Sequence, residues 1–355
     1  MRVAVIFGGR SAEHEISLGS ADFVMRSLDP SKYEPLPVGI LPDGRWMVPE
    51  DVEAVLSGGL EGAAGEAVFL PPDPAQRCLL CESGERLPID FAFPVLHGTF
   101  GEDGAIQGLF EMADMPYAGG GVLGSALGMD KELMKDAYAA HGLPQAEFVA
   151  VRDAGGDIGG AVRTVEAGLD YPMIVKPANL GSSVGMSSAR GQGELAEALR
   201  LAFRYDRKVV VEKLLDIRNL EVAILGNERP QASVVGEVTS AKDWLDFEAK
   251  YADGMSEILI PAPLDEVTGE EVRTLALEAY QILDCSGFAR MDVLLERGTG
   301  KPYVSEINTL PGMSEHSTFP LLWKASGLEA RELFDRIIQL GLERFAQRRA
   351  LLTRR

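Results

Sequence analysis

Between residues 288 and 308, two short stretches alternate polar and apolar side chains around a glycine-rich turn. Arg290-Met-Asp292-Val-Leu-Leu reads as one strand and Tyr303-Val-Ser-Glu306-Ile-Asn308 as the next, with Arg297-Gly-Thr-Gly300-Lys between them. Side chains alternate faces along a strand, so Arg290 and Asp292 share a face, as do Glu306 and Asn308. A hairpin centred on Thr299 sets position 292 opposite 306 and 290 opposite 308. All four polar groups then converge on one face, while Met291, Val293, Val304 and Ile307 fill the other. Two carboxylates and an amide oxygen on a rigid hairpin suit a hard cation such as Mg²⁺, which completes its shell with water and phosphate oxygens. A solvent-facing network of cross-strand charges is the competing reading.

The rest of the chain alternates buried strands with loops and helices. The first strand, Arg2–Phe7, runs into Gly8-Gly9, and a helix follows over 16–28. The apolar run of the N-terminus, within Met1–Phe7, is too short for a signal peptide. A second buried strand, Phe91–Leu96, leads into a glycine-bearing loop and a helix near 105–113. This pattern predicts an α/β first domain with a parallel sheet, ending near Gly121. The Pro- and Gly-rich stretch 30–90 between these strands reads as short strands and loops. A helix near 130–141 opens a middle segment, in which strands 173–176 and 209–212 flank a helix over 193–204. A third segment begins near 215, with a long polar loop over 239–257, a helix over 266–284, the hairpin, and a closing amphipathic helix over 328–348. At roughly 100–200 residues per domain, a chain of 355 residues has room for two or three domains. The expected units are 1–121, 122–214 and 215–355.

Composition narrows the function. There are 34 Lys and Arg against 54 Asp and Glu, a net charge of −20. A field of that sign disfavours nucleic acid and anionic membranes as general partners. It does not exclude an anionic small ligand, which a local cluster of cations can hold. No apolar run approaches the ~18 residues of a membrane span. The 3 cysteines, Cys78, Cys81 and Cys285, make no disulfide framework and suit a reducing cytoplasm.

Other segments carry chemistry. Lys176 ends a buried strand, where an ammonium is costly unless it meets an anion. The Gly181-Ser182-Ser183-Val-Gly185 loop behind it offers N–H and hydroxyl donors to phosphate. The loop also matches GxSxG, and Ser183, Asp292 and His316 follow the hydrolase triad order. No helix follows Ser183 directly, however, so the nucleophile-elbow reading is the weaker one. Gly119–Gly124 matches GxGxxG but does not follow the first strand, which disfavours a dinucleotide site. Glu15 sits at the entry to the first helix, and Glu212 and Glu221 border strand ends. The 239–257 loop carries Lys250 and Tyr251 and has the length of an active-site lid. The backbone N–H of Gly312 beside Arg290 can stabilise an oxyanion.

In chain order these segments resemble the D-alanine–D-alanine ligase family of ATP-grasp enzymes, which act in peptidoglycan precursor synthesis. The likeness rests on Gly8-Gly9 with Glu13-His14-Glu15, His97-Gly98, Gly101–Gly108, Met129-Asp-Lys131, Val175-Lys176-Pro, Gly181–Gly185, Glu248–Tyr251, Arg290-Met-Asp292 and Glu306–Gly312. It implies a Rossmann-like N-terminal domain followed by a two-subdomain ATP-grasp fold. It also implies that ATP contacts Lys131, Lys176, Ser182, Ser183, Glu212, Lys213, Leu215, Glu221 and Lys250. Asp292, Glu306 and Asn308 would hold two Mg²⁺ or Mn²⁺, with a monovalent cation as a further candidate. Glu15 would hold the ammonium of the first D-alanine, linked to Ser182 and Tyr251. Arg290 and Gly312 would form the oxyanion hole, and His97, Lys250 and Ser317 would bind substrate. The product implied is D-alanyl-D-alanine, because makers of D-alanyl-D-lactate lack the Glu248–Tyr251 segment. A cytoplasmic homodimer is the expected assembly.

Overall fold

The computed structural model describes residues 1–240 and 256–352. The predicted strands and helices form three sheets. The first contains β1 (Arg2–Gly8), β2 (Glu34–Ile40), β3 (Trp46–Pro49), β4 (Gly65–Phe69), β5 (Cys78–Cys81), β6 (Arg86–Pro88) and β7 (Phe91–Pro94). Their order is β6-β5-β4-β3-β2-β1-β7. Only β2, β1 and β7 run parallel. The stretch 30–90 supplies the remaining strands, which pair antiparallel. The parallel sheet expected of the first domain is therefore a mixed sheet. Short loops allow antiparallel neighbours, whereas each parallel step needs a long crossover.

Strand β1 is apolar throughout because both of its faces are covered. Val3, Val5 and Phe7 point to one core with helix His14–Ser27 and the closing helix Ala330–Ala350, through Leu333, Phe334 and Ile337. Ala4 and Ile6 point to the other core, with Ile106 and Phe110 of helix Ala105–Met112. The closing helix thus packs on the first sheet, although it lies at the far end of the chain. Gly341 permits the close approach: a Cβ there would stand 2.5 Å from the Tyr117 carbonyl oxygen. The free, buried cysteines Cys78 and Cys81 lie on β5.

The second sheet is β8 (Phe148–Arg152), β9 (Met173–Pro177), β10 (Ser187–Ala189) and β11 (Lys208–Lys213), in the order β10-β9-β11-β8. Helices Ile158–Glu166 and Gln192–Ala202 cover it through Val162, Val165, Leu195 and Leu199. The third sheet holds β12 (Ile217–Leu225), β13 (Gln231–Ser240), β14 (Ser256–Leu259), β15 (Phe288–Glu296) and β16 (Pro302–Asn308), in the order β14-β13-β12-β15-β16.

The hairpin β15–β16 has the expected register. Arg290 pairs with Asn308 and Asp292 with Glu306. A bulge then shifts the ladder by one, so Val293 pairs with Val304. Met291, Val293, Val304 and Ile307 are buried against helix Glu266–Ile282. The polar face of the hairpin is left toward the second sheet.

Phe334 is fully buried and meets the rings of Phe23 and Phe93 edge-on at 5.8 and 6.0 Å. Its replacement by alanine removes contacts from both ends of the chain at once. We expect Phe334→Ala to lower the unfolding free energy by about 3–5 kcal/mol in urea titrations. A loss below about 1 kcal/mol would mean that the closing helix does not anchor the first sheet.

Candidate active site

Two cavities meet between the sheets. The first has an empty volume of about 950 Å³ and lies between the second and third sheets. Lys176 on β9 and Glu212 on β11 enter it from one face of the second sheet. Their strands pair antiparallel, with Lys176 opposite Val210, so Glu212 is the diagonal neighbour on the same face. The Lys176 ammonium donates to Glu212 Oε2 at 3.0 Å. Lys135, which is buried, approaches Glu212 Oε1 at 3.5 Å from the other side. Burial alone would raise the Glu212 carboxyl, but Lys135 and Lys176 outweigh it and hold the group below the usual carboxylate range. Burial pushes the Lys135 ammonium down, opposed by Glu212.

Lys131 begins helix Lys131–Ala140, which Asp130 caps by accepting from the Leu133 N–H at 3.1 Å. The Lys131 ammonium donates to the Leu180 carbonyl at 2.7 Å and stands 3.6 Å from Glu306 Oε2. Ser182, Ser183, Lys213, Leu215 and Glu221 also line this cavity. The Lys213 ammonium itself leans out toward Glu147 at 3.9 Å. Ser182 and Ser183 both hold left-handed backbone, with φ of 49° and 57°. Such residues need surrounding contacts to stay there. The Ser182 hydroxyl donates to Glu13, which ties the loop to the start of helix His14–Ser27.

The second cavity, about 1370 Å³, opens beside the first, and Ser182 and Glu221 line both. Glu15, His97, Arg290, Asn308, Gly312 and Ser317 border it. Glu221, Asp292 and Glu306 form one row across β12, β15 and β16. Arg290 binds both oxygens of Asp292, at 2.7 and 2.8 Å, and stands 3.4 Å from Glu221. Burial works against the Arg290 charge, yet Asp292 and Glu221 carry it well above its ordinary value. Burial also pushes the Asp292 carboxyl up to about 6, against the pull of Arg290. The His97 Nδ1–H donates to the Leu310 carbonyl oxygen at 2.9 Å. Burial lowers its pKa, opposed by Glu13. Ser317 Oγ accepts from the Ser314 N–H at 3.0 Å, beside Gly312, where a Cβ would come within 2.8 Å of that oxygen.

The donor chemistry of Asp292, Glu306 and Asn308 is that of an oxygen-liganded divalent cation. Glu221 Oε2 is buried and makes no hydrogen bond among the described residues. Among the described residues no three Asp, Glu, His or Cys side chains form a metal cage on their own. The set therefore fits Mg²⁺ sharing oxygens with phosphate and water rather than a closed protein site.

Several expectations change. The carboxylate linked to Ser182 is Glu13, not Glu15. Glu13 precedes the helix and is half-buried, whereas Glu15 lies exposed on its first turn. The order Ser183, Asp292, His316 makes no triad: Asp292 is held by Arg290, and His316 is exposed beside Glu315. Gly119–Gly121 form a turn before helix Val122–Met129, with the Arg344 guanidinium on the Gly119 carbonyl at 2.7 Å. Lys250 and Tyr251 lie outside the described residues. Sequence reasoning missed Glu13, Glu102 and Lys135. The spacing of four from Lys131 was the available signal for Lys135, because i and i+4 share a helix face.

Sequence profiles described as "D-ala D-ala ligase N-terminus" and "D-ala D-ala ligase C-terminus" match residues 2–120 and 137–339. The chain belongs to the D-alanine–D-alanine ligase family. It is 45% identical over 346 residues to the D-alanine–D-alanine ligase of Thermoanaerobacter sp. (strain X514), covering 96% of each chain. It is 40% identical over 356 residues to that of Geobacillus kaustophilus (strain HTA426), covering 99% of this chain and 97% of the other. Among solved structures, the VanG D-Ala:D-Ser ligase from Enterococcus faecalis superposes with a TM-score of 0.88 at 32% identity, over 96% of this chain and 99% of that one. The D-alanine–D-alanine ligase from Coxiella burnetii gives 0.84 at 30% identity, over 99% and 96%.

Glu102 borders the second cavity and accepts from the Gly98 and Leu310 N–H groups at 2.8 and 3.1 Å. Burial and the nearby Glu13 still push its carboxyl up from 4.5 to about 7. The folded state then binds this proton more tightly than the unfolded chain. Its contribution is complete below about 4.5 and is lost as pH rises through about 7. Urea titrations across that window should show wild type losing roughly 2–3 kcal/mol relative to Glu102→Gln. Parallel pH profiles would refute the shift.

Proposed function

We propose that this ligase joins two D-alanine molecules at the expense of ATP, through a D-alanyl phosphate. The observation that carries this reading is the junction of the two cavities at Ser182 and Glu221. One holds a lysine cluster suited to a polyanion. The other holds a half-buried guanidinium, carboxylates and a glycine-bearing loop suited to small zwitterions.

ATP lies in the first cavity, with its phosphates at Lys131, Lys176 and the Gly181–Gly185 loop and its adenosine part toward Glu212, Lys213 and Leu215. Asp292, Glu306 and Asn308 are the residues that would hold Mg²⁺ or Mn²⁺, which when bound offsets the charge of the transferring phosphoryl group. The second cavity takes the amino acids. Glu13, fixed by the Ser182 hydroxyl, is placed to hold the first ammonium, and Glu15 lies farther out on the rim. The first D-alanine carboxylate attacks the γ-phosphate, the bond from phosphorus to the bridging β,γ oxygen breaks, and ADP leaves. The second D-alanine, its ammonium deprotonated to the amine, then attacks the acyl carbon; phosphate leaves and the remaining surplus proton of the nitrogen passes to phosphate or solvent. Arg290 and the Gly312 N–H face the oxyanion that forms in this second step. Ser317 is set to bind the second carboxylate, with His97 orienting the Leu310 loop. Lys250 and Tyr251 remain assigned to phosphate and substrate contact by resemblance. No protein nucleophile is needed.

The three sheets support a division into units 1–121, 122–214 and 215–355, with the closing helix docked back on the first. Among the described residues no helix is long and apolar enough to cross a membrane. Free cysteines at 78, 81 and 285 are consistent with the cytoplasm. A homodimer is the assembly the resemblance implies.

The test is ADP release from ATP and Mg²⁺ with and without D-alanine. Release that does not depend on D-alanine would sink the reading. Glu306→Gln should lower turnover at least about a hundredfold while leaving adenosine binding within about twofold. Normal turnover in that variant would remove Glu306 from the phosphoryl-transfer site. Acceptor choice is read by competition of D-alanine with D-serine and D-lactate across pH. We expect D-alanine to dominate near neutrality, and comparable incorporation of either rival would overturn the dipeptide assignment.

A further inference from the structure

Strands β8 and β11 set two cations side by side, since Arg152 pairs directly with Lys208. Like charges so placed repel unless an acid lies between them. Two acids do, and both come from the start of helix Lys131–Ala140. The buried Lys208 ammonium donates to both oxygens of Asp130, at 2.5 and 2.6 Å, and stands 2.9 Å from Glu132 Oε2. Arg152 binds both oxygens of Glu132, at 3.2 and 2.6 Å. Asp130 and Glu132 are the chain neighbours of Lys131, so one ammonium holds the residue on each side of it. The backbone is tied to the same strand. The Lys131 N–H donates to the Ala178 carbonyl at 3.0 Å, and the Ala178 N–H donates to the Lys208 carbonyl at 3.0 Å. From this anchored turn the Lys131 side chain enters the first cavity, where its ammonium meets the Leu180 carbonyl. Lys208 itself does not line that cavity.

We propose that Lys208 is a positioning residue for the nucleotide: by gripping Asp130 and Glu132 it fixes the direction in which Lys131 enters the first cavity. Without this ammonium, Asp130 loses its tie to the second sheet, and the first turn of the helix is free to tilt with Lys131 on it. A lysine stem is flexible, so a small tilt at its base spreads the ammonium over several places. A phosphate contact that depends on one place is then weakened. The inference rests on the reading that ATP phosphates lie at Lys131. Its effect falls on phosphate rather than on adenine, and it passes through Lys131.

Calorimetric titration with ATP and with adenosine separates the possibilities, using wild type, Lys208→Met, Lys208→Gln, Lys131→Met and the double variant Lys131→Met with Lys208→Met. Both Lys208 variants should bind ATP at least about fivefold more weakly, with adenosine changed by no more than about twofold. In the Lys131→Met background, Lys208→Met should cost no more than about twofold further, because the group it positions is already gone. In turnover assays the Lys208 variants should raise KM for ATP more than they lower kcat. Equal losses for ATP and adenosine, or no loss for ATP, would overturn the proposal. So would the full loss persisting in the Lys131→Met background, since the Lys208 charge would then act through space and not through Lys131. Failure of both Lys208 variants to fold would overturn it as well, by making the ion network a requirement of folding alone. A Lys131→Met protein that binds ATP as wild type does would instead strike the nucleotide reading itself, and the proposal with it.

Discussion

Arg290 lies half-buried against Asp292 and Glu221, and strand register alone decides that these groups meet. Glu221, Asp292 and Glu306 lie in one row because β12, β15 and β16 pair antiparallel without a slip before Asp292. A shift of one residue would turn the whole row into the hydrophobic layer. Met291, Val293, Val304 and Ile307 prevent this, because they are committed to helix Glu266–Ile282. The apolar face thus fixes the polar one. Acids placed this close repel each other, and the Arg290 guanidinium offsets that repulsion. Around Glu212 the arrangement recurs with opposite sign, with Lys176 from β9 and Lys135 from helix Lys131–Ala140 on its two oxygens.

How much of this was legible in the chain depended on the range of each interaction. The hairpin was readable because period-two alternation and a Gly-Thr-Gly turn are local signals. Both strands fall at the expected positions, 288–296 and 302–308. Strand β1 was readable from its unbroken apolar run. The stretch 30–90 was harder. Strands β3, β5 and β6 span only three or four residues, too few to establish a period. The docking of helix Ala330–Ala350 on the first sheet was not readable at all. An amphipathic pattern announces a buried face but does not name what buries it.

The site divides along the same line. Lys176, Arg290, Asp292 and Glu306 sit on strands whose faces the sequence specifies. Glu13 and Glu15 lie where a loop becomes a helix, and one residue of rotation there moves a side chain by about 100°. Motif matching cannot choose between them, whereas the Ser182 hydroxyl does. Lys135 escaped because a lysine on an amphipathic helix normally reads as solvent-facing. Only the arrival of β11 from elsewhere in the chain gives it a carboxylate to meet.

The charge balance shows the same dependence on long-range packing. A sum of −20 describes a surface that repels polyanions. At the first cavity Lys131 from a helix and Lys176 from a strand are brought beside Glu306 and Glu212, with Lys135 of the same helix behind Glu212. None of these lysines departs from the average composition, and no basic run marks them. What gives the pocket its cationic groups is that the fold withdraws each from water and brings them to one wall. A polyanion attracted there meets charge in a low-dielectric wall, where each contact counts for more than it would on the surface. The same acidic exterior that turns away nucleic acid therefore leaves one narrow place where a small phosphate compound is favoured, and that place is defined by strand pairing rather than by composition.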